Sequence, residues 1–308
     1  MSHEDCEGNR LRRRFATLDV FTSTRFAGNP LAVVLESSGL ETEAMQSIAR
    51  EFNLSETVFV FPPKSPAHRA ALRIFTPGRE LPFAGHPTVG TAVLLAHLDG
   101  GDAKREFVLE ETVGPVPCRV REGEGEAGHA EFEVPRLPAR EPATFDIDAM
   151  SAALGLTAAE TRITGWPPEQ WSAGNPFAFF PVRSLEAIRN CRVNLAKFGD
   201  AFGGAQAAAF VFCRETLDAR NQFHARMFSP SMGIIEDPAT GSAAAAFAGY
   251  VAVHERHGDG EHRVRIEQGV EMGRPSLMEL TFRMASGRLA GAAIGGDAVM
   301  VTEGTLQA

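Results

Sequence analysis

The chain has few cysteines, no long apolar run and no excess of basic charge. Its 308 residues include 4 cysteines with no Cys-x-x-Cys pair and no regular spacing, so neither a zinc ribbon nor a disulfide framework is indicated. No apolar run reaches the roughly 20 residues that span a bilayer, and the polar start lacks the apolar segment of a secretory signal. The net charge of −9 argues against nucleic acid. We therefore expect a cytoplasmic protein with no membrane or nucleic-acid partner.

What the sequence does contain is an internal repeat. Three segments of the first half return in the same order in the second half. They are Ala-Gly-Asn-Pro at 27–30 and 173–176, Arg-Ile-Phe-Thr-Pro at 73–77 and Arg-Met-Phe-Ser-Pro at 226–230, and His-Pro-Thr-Val-Gly-Thr-Ala at 86–92 and Asp-Pro-Ala-Thr-Gly-Ser-Ala at 237–243. This alignment places His86 and Asp237 at matching positions. The repeat predicts two related domains with a cleft between them.

The chain length suits two domains of about 150 residues, each with its own core. Residues 135–142 contain three prolines, which disfavour regular structure and suit a boundary. We expect a flexible N-terminal extension over 1–14, a first domain over 15–138 and a second over 139–308. A C-terminal strand is expected over 288–302, where it can cross back to the first domain.

Two helix-length segments, 87–98 and 241–253, are apolar around nearly their whole circumference. A helix of this kind has to be enclosed, and short strands are the only elements available to enclose it. The sequence therefore predicts an α+β protein of two similar domains, each a curled, barrel-like β-sheet around a central helix.

Both central helices begin at a glycine-containing turn, near Gly85-His86 and Gly241-Ser242. The free N–H groups and the dipole of a helix start attract anions, so two starts at one cleft could hold a carboxylate. The alternative is that both are only well-formed helix caps.

Two near-matches to known motifs fail on inspection. The segment 85–91 resembles a phosphate-binding loop but lacks its lysine, and His-Glu-Arg-His at 254–257 lacks the spacing that places two imidazoles on one helix face. We reject a nucleotide triphosphatase and interpret 254–257, together with His262, as a solvated loop.

Four side chains could handle protons near these turns: Glu56, His86, Asp237 and Ser242. A lone glutamate such as Glu56, at the start of an apolar strand, is often only a solvated or capping residue. Apolar surroundings would raise its pKa toward neutrality, as a group that both takes and returns a proton requires.

Five ordered motifs resemble the phenazine-biosynthesis isomerase (PhzF-like) family, which has the diaminopimelate epimerase fold. The motifs are 19–21 with 26–30, 53–57, 73–77, 80–87 and 236–244. The resemblance implies a homodimeric enzyme whose active site lies between the domains and uses no metal and no cofactor.

Carried over by position, the resemblance implies that Glu56 is the general acid/base and that His86 and Asp237 are its partners. It implies that Gly85, Gly241 and Ser242 hold the carboxylate of a small substrate. Asn29 is also expected to bind the substrate.

The epimerase relatives of this fold use a cysteine pair at the helix starts, and this chain has none there. Two-thiol racemisation is therefore excluded. An isomerase that relocates a proton is the preferred function. A lyase or an epimerase working with the same residues, and a non-catalytic small-molecule-binding protein, stay open. Trp166, Trp171 and Phe177 are candidates for a variable pocket, with core packing as the alternative.

Overall fold

The computed structural model describes residues 12–100, 105–204, 207–230 and 233–308. The first half contains eight strands and two helices. The strands are β1 (Arg12–Val20), β2 (Asn29–Val34), β3 (Glu56–Phe61), β4 (Ala70–Phe75), β5 (Glu80–Leu81), β6 (Arg105–Glu111), β7 (Gly114–Glu122) and β8 (Gly128–Glu133). The helices are α1 (Thr42–Phe52) and α2 (Gly85–Leu98).

The second half repeats this composition with additional short helices. Its strands are β9 (Ala139–Glu141), β10 (Glu169–Ser172), β11 (Pro176–Pro181), β12 (Ala209–Cys213), β13 (Phe223–Ser229), β14 (Ile234–Asp237), β15 (Gly260–Gln268), β16 (Ser276–Ala285) and β17 (Arg288–Gln307). Its helices are α3 (Ile147–Leu154), α4 (Ala158–Thr161), α5 (Leu185–Asn190), α6 (Leu195–Phe202) and α7 (Gly241–His254), and Val270–Met272 forms a 3₁₀ turn.

Eight strands close into a barrel around α2. The order is β1-β2-β3-β4-β6-β7-β8-β17, and β17 pairs with β1 to complete the ring. The first twelve residues of α2, 85–96, are buried, as its apolar circumference requires. The predicted curled sheet around a central helix is confirmed here.

The strands of the second half curl around α7 in the order β9-β10-β11-β12-β13-β15-β16-β17. In the part of the chain that the structure describes, no strand pairing closes this second sheet. The twenty-residue β17 belongs to both sheets. Its residues 288–295 pair with β16, and its residues 298–307 pair with β1, so the last strand joins the two halves.

Three expectations from the sequence need correction. Arg12, Arg13 and Arg14 belong to β1 because their backbones pair with the end of β17, whereas residues 1–11 of the predicted extension lie outside the described residues. The proline-rich 135–142 segment contains β9, which pairs with β10. His262 lies in β15 rather than in a loop, paired with Phe282 of β16.

The helices α4, α5 and α6 were not predicted from the sequence. The helices α3, α5 and α6 cover the outer face of β11, β12 and β13, where a second apolar cluster includes Phe180, Phe198 and Phe202, and α4 packs beside α3. No helix within the described ranges has the length and apolar character needed to cross a membrane.

Candidate active site

The two central helices meet at their first residues. A Cβ atom added to Gly85 would lie 2.9 Å from the Cα and the carbonyl carbon of Gly241, and 3.1 Å from the backbone nitrogen of Ser242. Only glycine allows backbones to approach this closely. The two helix starts therefore face each other, and two positive helix ends act on the same space.

A cavity of about 420 Å³ opens beside this junction. Glu56 and Asp237 line it, and Ser242 lies at the start of α7. Phe83, Phe177 and Met227 are among its apolar lining residues. The cavity thus combines carboxyl groups and a helix start with apolar walls, which is the usual composition of a site for a small molecule.

Glu56 is the first residue of β3 and lines the cavity; 13 % of its side chain is exposed, and its Oε2 is buried. Its Oε2 lies 3.3 Å from Nε2 of His86, without the alignment of a hydrogen bond. Burial, followed by the negative charge of Asp237, raises the pKa of Glu56 well above its usual value. Burial lowers the pKa of His86 to about 3, so the imidazole is neutral at physiological pH.

Asp237 is held by hydrogen bonds from both halves of the chain. Its Oδ1 accepts from Asn29 Nδ2 at 3.0 Å and from Ser55 Oγ at 3.2 Å, and its Oδ2 accepts from Thr240 Oγ1 at 2.5 Å. Burial raises the pKa of Asp237 to about 6, although these three hydrogen bonds act in the opposite direction. The two carboxyls therefore differ: Asp237 is fixed and ionises near neutral pH, whereas Oε2 of Glu56 has no hydrogen-bond partner among the described residues.

Asn29 lies beside Asp237 and His86. Its side chain is fully buried, and Nδ2 donates to Asp237 and, at 2.9 Å, to the backbone oxygen of Ala239. The same Nδ2 lies 3.4 Å from Nδ1 of His86. The amide therefore orients Asp237, and a contact between Asn29 and a substrate stays a prediction.

The expected equivalence of His86 and Asp237 is wrong. Arg73 pairs with Glu80 in the first half, and Arg226 pairs with Glu236 in the second, so the two glutamates are equivalent. Five residues after each glutamate comes the first residue of the central helix, Gly85 or Gly241.

This spacing makes His86 equivalent to Ser242, and Leu81 equivalent to Asp237. Strand pairing agrees, since Leu81 pairs with Ile74 and Asp237 pairs with Met227 in corresponding hairpins. The two halves therefore supply different groups at equivalent positions of the site.

Three polar residues that hold Asp237 were not predicted from the sequence: Ser55, Thr240 and Gln268. Gln268 Nε2 donates to the backbone oxygen of Asp237 at 2.7 Å and to Thr240 Oγ1 at 3.1 Å. Ser55 and Thr240 stand inside the matched motifs, which was a usable signal. Gln268 lies on β15, far along the chain, and its sequence gives no such signal.

The three aromatic candidates divide between the cavity and the core. Phe177 lines the cavity. Trp166 packs against Phe212 and Tyr250, and Trp171 is buried with Nε1 donating to Glu169, so both tryptophans are packing residues.

None of the described lining residues of the cavity is a cysteine, and Cys118, Cys191 and Cys213 are buried elsewhere. The described part of the chain contains no group of three or more His, Cys, Asp or Glu side chains arranged to hold a metal ion.

A fold with two curled sheets around facing helices is the architecture of the epimerase-like enzymes. The profile of the phenazine biosynthesis-like protein family matches residues 18–304, so the chain belongs to this family. It is 49 % identical to an uncharacterized isomerase of Mesorhizobium japonicum, over 96 % of this chain and 98 % of that protein. It is 35 % identical to the trans-2,3-dihydro-3-hydroxyanthranilate isomerase of Pseudomonas aeruginosa, over 94 % and 98 % of the two chains.

Solved structures agree with this placement. A PhzF-family phenazine biosynthesis protein of Bacillus anthracis superposes with a TM-score of 0.87 at 28 % identity, over 97 % of this chain and all of that chain. A hydroxyproline epimerase of Agrobacterium vitis shares the fold with a TM-score of 0.59 at 11 % identity, over 96 % and 92 % of the chains. The chain is thus an isomerase of the PhzF family with an epimerase-like fold.

Proposed function

We propose that this isomerase moves a proton within a small cyclic carboxylate, using Glu56 as the group that takes and returns the proton. The observation that carries the proposal is the position of Glu56, which lines a cavity bounded by two facing helix starts. The Pseudomonas aeruginosa relative, named for trans-2,3-dihydro-3-hydroxyanthranilate, supports a substrate of this class.

In the proposed reaction the substrate carboxylate lies at the starts of α2 and α7, near Ser242. Ionised Glu56 accepts a proton from one ring carbon, and the electron pair of the broken C–H bond moves into the conjugated system. A new C–H bond then forms at a second carbon as Glu56 gives up the proton and the double bond completes its shift. The reaction leaves the number of atoms and electrons in the substrate unchanged.

The surroundings of Glu56 suit this cycle. A carboxyl whose pKa is raised well above its usual value is a stronger base when ionised than an ordinary carboxylate and can hold the proton between the two steps. Neutral His86, 3.3 Å away, adds no positive charge that would hold Glu56 permanently ionised. The negative charge of ionised Asp237 raises the pKa of Glu56 and so helps to keep the proton on Glu56.

The test compares the unaltered enzyme with Glu56→Gln, using trans-2,3-dihydro-3-hydroxyanthranilate in ordinary and heavy water. We expect the variant to lose about 10²–10⁴-fold in turnover, the usual contribution of a general acid/base. Its melting temperature should not fall, because the amide replaces a carboxyl that is already costly to ionise. Glu51→Gln, on the exposed face of α1, is the matched control and should retain full activity.

Product identification by NMR separates the alternatives. A shifted double bond supports the isomerase, an inverted centre would indicate an epimerase, and a lost fragment would indicate a lyase. Binding without turnover in the unaltered protein, or undiminished turnover in Glu56→Gln, would contradict the proposal.

A further inference from the structure

A second buried carboxyl, outside the cavity, touches the first turn of α2. Glu111 is the last residue of β6 and is almost fully buried. Its Oε1 lies 2.6 Å from Thr88 Oγ1, and the same hydroxyl lies 2.7 Å from the backbone oxygen of Ala84. Ala84 is the residue on which α2 begins. Glu111 is therefore linked to the helix start that faces the cavity.

Counting hydrogens assigns a proton to this carboxyl. A threonine hydroxyl carries one hydrogen, which can go to Ala84 or to Glu111 but not to both. Both contacts are hydrogen bonds at once only if Glu111 donates to Thr88 and Thr88 donates to Ala84. The other oxygen, Oε2, is buried and has no hydrogen-bond partner among the described residues, which would be costly for a carboxylate.

Burial supports the same assignment, since it raises the pKa of Glu111 to about 8. The hydroxyl of Thr88 and the backbone N–H of Ala84 act in the opposite direction without cancelling the effect. The neutral acid is therefore the main form of Glu111 at neutral pH.

We propose that Glu111 is a positioning residue whose neutral form fixes the start of α2 and leaves the positive helix end free to bind the substrate carboxylate. This inference rests on the proposed function for the identity of the anion. When Glu111 loses its proton, the Thr88 hydroxyl turns to the new carboxylate, and the backbone oxygen of Ala84 keeps only the backbone N–H of Thr88, at 3.3 Å. A negative charge then lies at the helix end that has to hold the substrate.

Among the described residues, the titratable groups around Glu111 carry no charge that competes for this proton. On β7 the neighbouring titratable group is the Cys118 thiol, whose pKa is raised by burial and then by Glu111 itself. On β4 the residues paired beside the end of β6 are Ala70 and Ala71. On α2 the nearest titratable side chain in sequence is His86, which is neutral.

The first experiment follows the helix start without substrate. The backbone N–H signal of Gly85 is followed by NMR from pH 6.5 to 9.5, in protein with ¹⁵N-glycine and carbonyl-labelled alanine. The signal should shift with a midpoint near pH 8 in the unaltered protein. It should lose this transition in Glu111→Gln, whose side-chain N–H can donate to Thr88 at every pH. Glu106→Gln, on the exposed part of the same strand, should keep it.

The second experiment measures KM and kcat separately over the same pH range with trans-2,3-dihydro-3-hydroxyanthranilate. KM of the unaltered enzyme should rise about fivefold above pH 8, the effect of one charge at a helix end, and KM of Glu111→Gln should not. The same pH dependence of KM in both proteins would overturn the coupling.

The two experiments distinguish the possible failures. A Gly85 signal without a transition, or with the same transition in Glu111→Gln, would overturn the role of Glu111 whatever the enzyme does. If no turnover is found, the proposed function fails, and the Gly85 titration still decides whether Glu111 controls the helix start.

Discussion

The contact between the two helix starts can be tested by adding a single methyl group. In Gly85→Ala the new Cβ would lie 2.9 Å from two backbone atoms of Gly241, and backbone atoms cannot rotate away as a side chain does. Ordinary van der Waals contact begins at 3.4 Å, so the starts of α2 and α7 have to separate by about 0.5 Å.

The size of the effect follows from the packing. Inserting a methyl group into a close-packed interior costs about 1–3 kcal/mol, whereas replacing glycine by alanine in a helix stabilises the helix by at most about 1 kcal/mol. We therefore expect Gly85→Ala to be about 1–2 kcal/mol less stable. The melting temperature should fall by roughly 2–4 °C for each kcal/mol.

Turnover should fall by more than the loss of stability explains, because the separated helix starts would hold the substrate carboxylate away from Glu56. A displacement of a large part of an ångström costs about tenfold or more in rate. The assays are calorimetric melting and isomerisation of the proposed substrate.

Gly199→Ala is the matched control, since its Cβ would approach only the backbone oxygen of Gly204, at 3.7 Å in the helix α6. It should be as stable as the unaltered protein or slightly more stable. Unaltered melting and turnover in Gly85→Ala would refute the facing arrangement of the two helices.

Two further predictions concern the pH dependence of stability, measured by urea unfolding. Burial acts to lower the pKa of His224, but hydrogen bonds from its ring to Glu267 and Glu271 outweigh this effect and leave the pKa raised. The contribution of His224 to the free energy of unfolding should be complete below pH 6.5 and lost as pH rises through the raised pKa. His224→Gln should therefore lower the free energy of unfolding by about 3 kcal/mol at pH 6 and by less at pH 9. For Glu111 the folded state holds a proton that the unfolded chain releases first, so stability falls between pH 4.5 and about 8. Relative to the unaltered protein, the stability of Glu111→Gln should rise by about 5 kcal/mol over that range, at about 1.4 kcal/mol per pKa unit. If the difference in the free energy of unfolding between a variant and the unaltered protein did not change with pH, the prediction for that variant would be contradicted.

The fold was predictable where hydrophobic pattern alone decides it. The segments 87–98 and 241–253 have no polar face, so enclosure by strands was the only solution, and the helices α2 and α7 occur there. The short helices α4, α5 and α6 were not predictable in the same way. Each is at most eight residues long, so the hydrophobic pattern is too short to predict a helix, and only capping residues such as Thr157, Ser184 and Asn194 mark their starts.

The members of the site were more predictable than their relationships. Glu56, His86, Asp237 and Ser242 do come together, but the similarity of His-Pro and Asp-Pro aligned the halves in the wrong register. The correct register follows from two arginine–glutamate pairs whose members are separated by 7 residues in one half and by 10 in the other. A difference in hairpin length of this kind becomes visible only when the ion pairs are seen in three dimensions.

The corrected register bears on the proposed chemistry. A reaction that uses two opposed bases requires equivalent proton-carrying groups from the two halves. In this chain His86 of the first half is equivalent to Ser242 of the second, and Leu81 is equivalent to Asp237. Glu56 belongs to the first half alone. The fold is doubled, but the acid/base groups are not. The two carboxyls also differ in their surroundings: Asp237 is fixed by three hydrogen bonds, whereas Glu56 keeps an unpartnered oxygen within the described structure. This asymmetry favours a single group that removes and returns the proton on one face of the substrate, with the facing helix starts holding the carboxylate still.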